Sequence, residues 1–113
     1  MNENRKIQRL LDRLVAKTRE KELIWSESFP PGSYMASLPR HSVKIARKDD
    51  NEGIVLSMYD EYGRVFDETT ATSYGLMNAS GPVVGKKLQE LFHLVQQSTV
   101  KERELDELLQ ELG

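Results

Sequence analysis

The chain predicts an α+β domain: an N-terminal amphipathic helix, an antiparallel meander of about five strands, and one or two C-terminal helices packed on one sheet face. Three observations lead there. Apolar residues recur at helical period near both ends of the 113-residue chain. Between them the period falls to two. Short polar turns divide that middle stretch, and links so short join antiparallel rather than parallel strands.

Each element follows in order. Ile7, Leu10, Leu11, Leu14 and Val15 fall at i, i+3, i+4, i+7 and i+8, one apolar stripe of a helix that Asn2 or Asn4 caps. Arg5, Arg9, Arg13 and Lys17 form an i, i+4 row on its solvent side. This helix fades between Thr18 and Glu22, where no glycine marks a stop. The period then changes, and residues 23–28 read as a strand that Pro30-Pro31-Gly32 breaks. Tyr34–Leu38 is a second strand, ended by Pro39, and Val43–Lys48 alternates as a third. The polar turn from Asp49 to Gly53 leads to a fourth, Ile54–Tyr59. Asp60–Gly63 turns the chain again into a fifth, Val65–Glu68.

Residues 69–81 carry no period and read as a crossover loop. Pro82 suits the first turn of a helix, whose face is Val84, Leu88, Leu91, Phe92 and Val95. Thr99-x-x-Glu102 has capping-box form and would start a further helix. Leu91, Ser98, Leu105 and Leu112 are spaced by seven, which equally fits one long helix with a polar interruption. The expected core face of the sheet is Trp25, Tyr34, Leu38, Val43, Ile45, Ile54, Leu56 and Met58.

Length and composition exclude several classes. The chain makes one domain, 1–113, with enough burial to stand without a metal or disulfide staple. The absence of cysteine removes thiol chemistry and thiolate zinc sites. No apolar run approaches the roughly 20 residues that a membrane helix needs. The first twenty residues alternate charged and apolar, unlike the continuous apolar centre of a signal peptide. The expected compartment is the cytoplasm.

Chemistry-bearing motifs are weak. Ser80–Lys87 resembles a phosphate loop only loosely: serine replaces its first glycine and Lys87 replaces the magnesium-binding hydroxyl. From Asp49, the fifth position is Gly53 and the twelfth is Asp60, so the calcium-loop pattern fails, and the residues read as a solvated turn. His41 and His93 are the only histidines, and neither has metal-ligand spacing. Paired carboxylates such as Asp60/Glu61 and Asp67/Glu68 do not converge, because adjacent strand residues point to opposite faces. No catalytic residue, metal or cofactor is therefore assigned, and an enzyme is the least favoured class.

Surfaces remain. Residues 1–48 hold eleven Lys/Arg against five Asp/Glu, and residues 49–113 hold five against thirteen. One reading makes the positive half a nucleic-acid surface, built from Arg5, Arg9, Arg13 and Lys17 with Arg40, Lys44, Arg47 and Lys48. The net charge of −2 argues against it. The preferred reading pairs the basic row with Glu104, Glu107 and Glu111, within one chain or between two. The sheet face away from the helices carries Ile24, Met35, Val55 and Tyr59, more apolar than solvent contact requires. The expected arrangement folds the last helix back on the core; otherwise Leu105, Leu108, Leu109 and Leu112 offer a second patch.

The expected function is a small non-catalytic protein-interaction or regulatory module that binds a protein partner or a second copy of itself. The layout is common among small bacterial proteins, and layout does not transfer function. Partner contacts are assigned to Ile24, Met35, Val55 and Tyr59, with Leu105, Leu108 and Leu112.

Overall fold

A computed structural model describes residues 2–47, 53–72 and 81–113, with side chains for 5–47, 53–71 and 83–113. Lys48, the Asp49–Glu52 turn and residues 73–80 lie outside the described residues. The order is α1 (Asn2–Arg19), β1 (Trp25–Ser28), β2 (Ser33–Ser37), β3 (Ser42–Arg47), β4 (Gly53–Tyr59), β5 (Val65–Thr72) and α2 (Gly81–Leu112). The strands form one sheet in the order β1-β2-β3-β4-β5, every neighbour antiparallel. This is the α+β meander that the periods indicated.

Register sorts the two faces. Trp25, Ala36, Val43 and Met58 align across four strands, and Tyr34, Ile45, Leu56 and Thr69 make the next helix-side row. All eight are buried. Against them pack Leu11, Leu14 and Val15 of α1 and Val84, Leu88, Leu91, Phe92 and Val95 of α2. The Phe92 ring meets Tyr34 edge-on at 6.0 Å between centroids. Helix α2 lies on β5, β4 and β1, and α1 packs chiefly beside α2.

Several expectations need correction. Leu38 falls beyond β2 and is exposed, so it is not core, while Ile54 only rims the core. β1 starts at Trp25 rather than at residue 23. β5 runs on to Thr72, so residues 69–72 are strand rather than loop. Its helix-side residues there are Thr69 and Ala71, which α2 covers; small side chains sufficed, and no hydrophobic alternation marked the strand.

The second capping box does not form, because α2 is a single helix of 32 residues. The Thr99 hydroxyl donates to the Val95 carbonyl at 2.7 Å, and the Ser98 hydroxyl donates to the same oxygen at 3.1 Å. Both hydroxyls bond backwards within the helix instead of capping a new one.

The end of α1 is set by a residue other than glycine. Lys21 takes φ 61°, the left-handed conformation usual after a helix. Glu22 and Leu23 then donate their backbone N–H groups to the Lys17 carbonyl at 3.0 and 3.2 Å. The chain thereby reverses into β1. Thr18 and Trp25 fasten this corner: the indole N–H donates to the Thr18 hydroxyl at 3.0 Å, and that hydroxyl donates to the Leu14 carbonyl at 2.6 Å.

Candidate interaction surfaces

The two helices run side by side in the same direction. Asp12 of α1 pairs with Lys87, and Arg19, seven residues further along α1, pairs with Glu90. Thr18 and Lys21 then share a groove with Ser98, Thr99 and Glu102. Because α1 stops first, the last turns of α2 pass beyond it. Every residue from Lys101 to Gly113 is exposed. A helix of this length spans about 48 Å, which accounts for most of the molecule's 54 Å long axis.

This direction corrects the expected pairing of charges within one chain. Arg5, Arg9 and Arg13 lie at the start of α1, beside the start of α2. Leu105–Leu112 begins about 27 Å beyond Lys87, at 1.5 Å per residue. The ion pairs that link α1 and β1 to α2 are Asp12–Lys87, Arg19–Glu90 and Arg103–Glu27, not a basic row against Glu104, Glu107 and Glu111. Among the described residues, Arg5, Arg9 and Arg13 form no ion pair, and Lys17 binds Glu22 at 3.1 Å.

Nor are the eight basic residues gathered on one surface. Lys44 is on the open face, where its ammonium donates to the Phe29 carbonyl at 3.0 Å. Arg47 is on the helix face, its guanidinium 5.0 Å from the Phe92 ring centroid. Arg40 reaches Glu61 at 3.5 Å. Lys48 lies outside the described residues.

The open sheet face is mostly small and polar. Ser26, Met35, Lys44, Ser57 and Glu68 make one cross-strand row, and Ser28, Ser33, Ala46, Val55 and Thr70 another. Tyr59 belongs to a third row with Ser37, Ser42 and Val65, at a register irregularity next to Met58. Met35, Val55 and Tyr59 are therefore half-buried in separate rows rather than joined in one patch. Ile24 precedes β1, is 72% exposed, and shares with Met35 a hollow of about 540 Å³. Sequence reasoning missed an apolar corner at the far end of the sheet. Val65 and Phe66 are exposed there, with the His41 ring 5.9 Å from Phe66. Alternation alone gave no sign of it; Phe66 falls at the register irregularity, between Val65 opposite Tyr59 and Asp67 opposite Met58.

The second assigned patch stands in solvent. Leu105, Leu108 and Leu112 are 44, 50 and 77% exposed, and Leu109 joins them at 65%. The expectation that this segment folds back on the core is not met. The stripe runs directly into the groove at the corner of α1 and β1, a cavity of about 390 Å³ where Leu23, Ile24 and Trp25 face Ser98 and Glu102.

Asp60 holds the β4–β5 turn: its carboxylate accepts the backbone N–H groups of Arg64 and Tyr62 at 3.0 and 2.9 Å, and the Arg64 side chain at 3.0 Å. The Arg64 backbone N–H leads in keeping its pKa below the ordinary carboxylate value. Gly63, at φ 81°, closes this turn. Glu20 is pushed upward by its hydrogen bond to Glu22, and Glu22 is held down by that bond and by Lys17. His93 is exposed on α2. Among the described residues no group of His, Cys, Asp and Glu is placed to hold a metal, and no helix is long and apolar enough to cross a membrane. The Gly81–Lys87 part of the loose phosphate-loop match is the opening of α2, which no parallel strand precedes.

Compared with protein-family models, curated proteins and solved structures, the chain matches none.

Proposed function

We propose that this protein is a protein-interaction module that works by docking rather than by catalysis, and that the free end of α2 is its principal contact. One observation carries the reading. Leu105, Leu108, Leu109 and Leu112 form a helical stripe that the chain's own core leaves in water. A fold that buries Leu88, Leu91, Phe92 and Val95 of the same helix without remainder has no internal use for four further leucines. Apolar helical faces of this kind are recognised as i, i+3, i+4, i+7 anchors. Ile24 and Met35, around the hollow beside β1, extend the surface, and Val55 and Tyr59 are lesser contacts on the open face. The cytoplasm is the proposed compartment, where a chain without cysteine forgoes no disulfides.

The test is a pulldown from native lysate with the tagged chain, with and without nuclease. It runs beside the double variant Leu105→Glu with Leu109→Glu. The expected result is a protein partner that survives nuclease and is lost from the variant. An identical set of partners in both chains overturns the reading. Recovery of nucleic acid, with proteins lost on digestion, favours the basic residues instead.

A further inference from the structure

We infer that the free stripe of α2 is covered by a basic amphipathic helix of another protein, lying end to end with α1 along the same side of α2. This rests on the interaction reading above and names the chemistry of its partner.

The place comes from the geometry of α2. Eighteen residues make about five helical turns, so positions eighteen apart face the same way. Leu105, Leu108, Leu109 and Leu112 stand eighteen residues beyond Lys87, Glu90, Leu91 and Leu94 respectively. Lys87 and Glu90 hold Asp12 and Arg19 of α1, Leu91 is buried, and Leu94 packs against the rim of the core. The leucine stripe is therefore the α1-facing side of α2, repeated about 27 Å further on. α1 ends at Arg19 and does not reach it. The position left open is that of a helix beside α2 and in line with α1. It starts at the groove where Leu23 and Trp25 are buried and Ile24 is exposed. Two helices side by side fill such a seam by ridges in grooves, as α1 and α2 already do.

The charge of the occupant comes from the borders of the stripe. At about 100° per residue, Glu102 and Asp106 border the leucines on one side and Glu104 on the other, while Glu107 and Glu111 face further round. From Lys101 to Gly113 the chain holds five Asp/Glu against two Lys/Arg. Arg103 is engaged with Glu27 at 2.9 Å and lies 3.9 Å from Glu104, and Lys101 stands one turn before Leu105. Glu102, Asp106, Glu107 and Glu111 form no ion pair among the described residues. α1 supplies the precedent: it is a helix with an apolar stripe and a row of Arg and Lys, and its Arg19 reaches Glu90 on this same side of α2. A helix with Lys or Arg beside its own apolar stripe meets the carboxylates of the tip in the same manner. Those carboxylates repel nucleic acid, an anionic bilayer surface and the acidic tip of a second copy.

Two synthetic helices of about 18 residues test the inference on the full chain. Both carry leucine at i, i+3, i+4 and i+7, and neither contains tryptophan. One has lysine at the positions beside the stripe, the other glutamate. Binding is read by anisotropy of a label on the peptide and by the fluorescence of Trp25, the chain's sole tryptophan, in the groove wall. The lysine helix is expected to bind below about 50 μM and to shift the Trp25 emission, and the glutamate helix to bind at least about tenfold more weakly. Leu105→Gln with Leu109→Gln, which changes no charge, should weaken the lysine helix at least about tenfold, and so should Glu102→Lys with Glu104→Lys. All four side chains are exposed, so both variants keep the wild-type circular dichroism and melt. A lysine helix that does not bind at about 100 μM, that binds the glutamine variant as well as wild type, or that leaves Trp25 unchanged overturns the inference. So does stripe-dependent binding of the glutamate helix with equal strength. The interaction reading is decided separately, by whether Leu105→Glu with Leu109→Glu removes the partners captured from lysate.

Discussion

Replacing Thr18 with valine removes one hydroxyl and leaves the shape of the corner between α1 and β1 almost unchanged. Thr18 and Trp25 are each about nine-tenths buried. The Leu14 carbonyl loses little, because in a continuous helix it still accepts the Thr18 backbone N–H. The Trp25 indole N–H loses the acceptor it has among the described residues. A buried donor left unpaired costs about 1–3 kcal/mol. The added methyl returns up to ~0.8 kcal/mol. From the middle of that range the net loss is about 1.2 kcal/mol, a fall of roughly 0.6–1.2 M in the urea midpoint for an m-value near 1–2 kcal/mol/M. Trp25 is the sole tryptophan, so its fluorescence reports the same corner that the substitution disturbs. Thr18→Ser keeps the hydroxyl and should recover most of the loss. A valine variant within ~0.5 kcal/mol of wild type, or a serine variant as damaged as the valine one, would refute the reasoning.

Two further outcomes follow from the same structure. Ser33 is 1% exposed, and its hydroxyl has no partner among the described residues. Ser33→Ala should therefore leave stability unchanged or raise it by up to ~1 kcal/mol in urea titration, and a clear loss would reveal an unseen partner. The folded-state pKa of Asp60 lies below its unfolded value, so its stabilisation is complete above about pH 5 and fades as the pH falls through the folded value. Asp60→Asn should flatten that acid limb of the stability curve while a difference from wild type persists at neutral pH; an unaltered acid limb would mean that the turn does not depend on the charge.

How much of this was legible beforehand divides by the range of the interaction. The helical stripe of α1, the period-two strands and their short turns rest on neighbours a few positions apart, and they led directly to the meander and to most of its core. Signals weakened where tertiary cover replaced bulk. Thr69 and Ala71 read as loop because α2, not their own size, buries them. Ser98 and Thr99 resembled a break because their hydroxyls have two uses, capping a helix or bonding back along one, and the sequence does not say which. The candidate surfaces were less legible than the fold. Met35, Val55 and Tyr59 share a face by parity, yet register places them in separate rows.

The sequence by itself determined the order and type of the elements, the apolar side of most of them, and which chemistries lack their residues. It did so because periodicity and residue type are properties of short stretches of chain. Only the tertiary structure decided that α1 and α2 run in the same direction. That one relation parts Arg5, Arg9 and Arg13 from Glu104, Glu107 and Glu111, and it leaves four leucines standing past the end of α1. Relative direction comes from how stripes far apart in sequence settle on a shared core, and the contacts of Asp12 with Lys87 and of Arg19 with Glu90 report it. No local pattern records it.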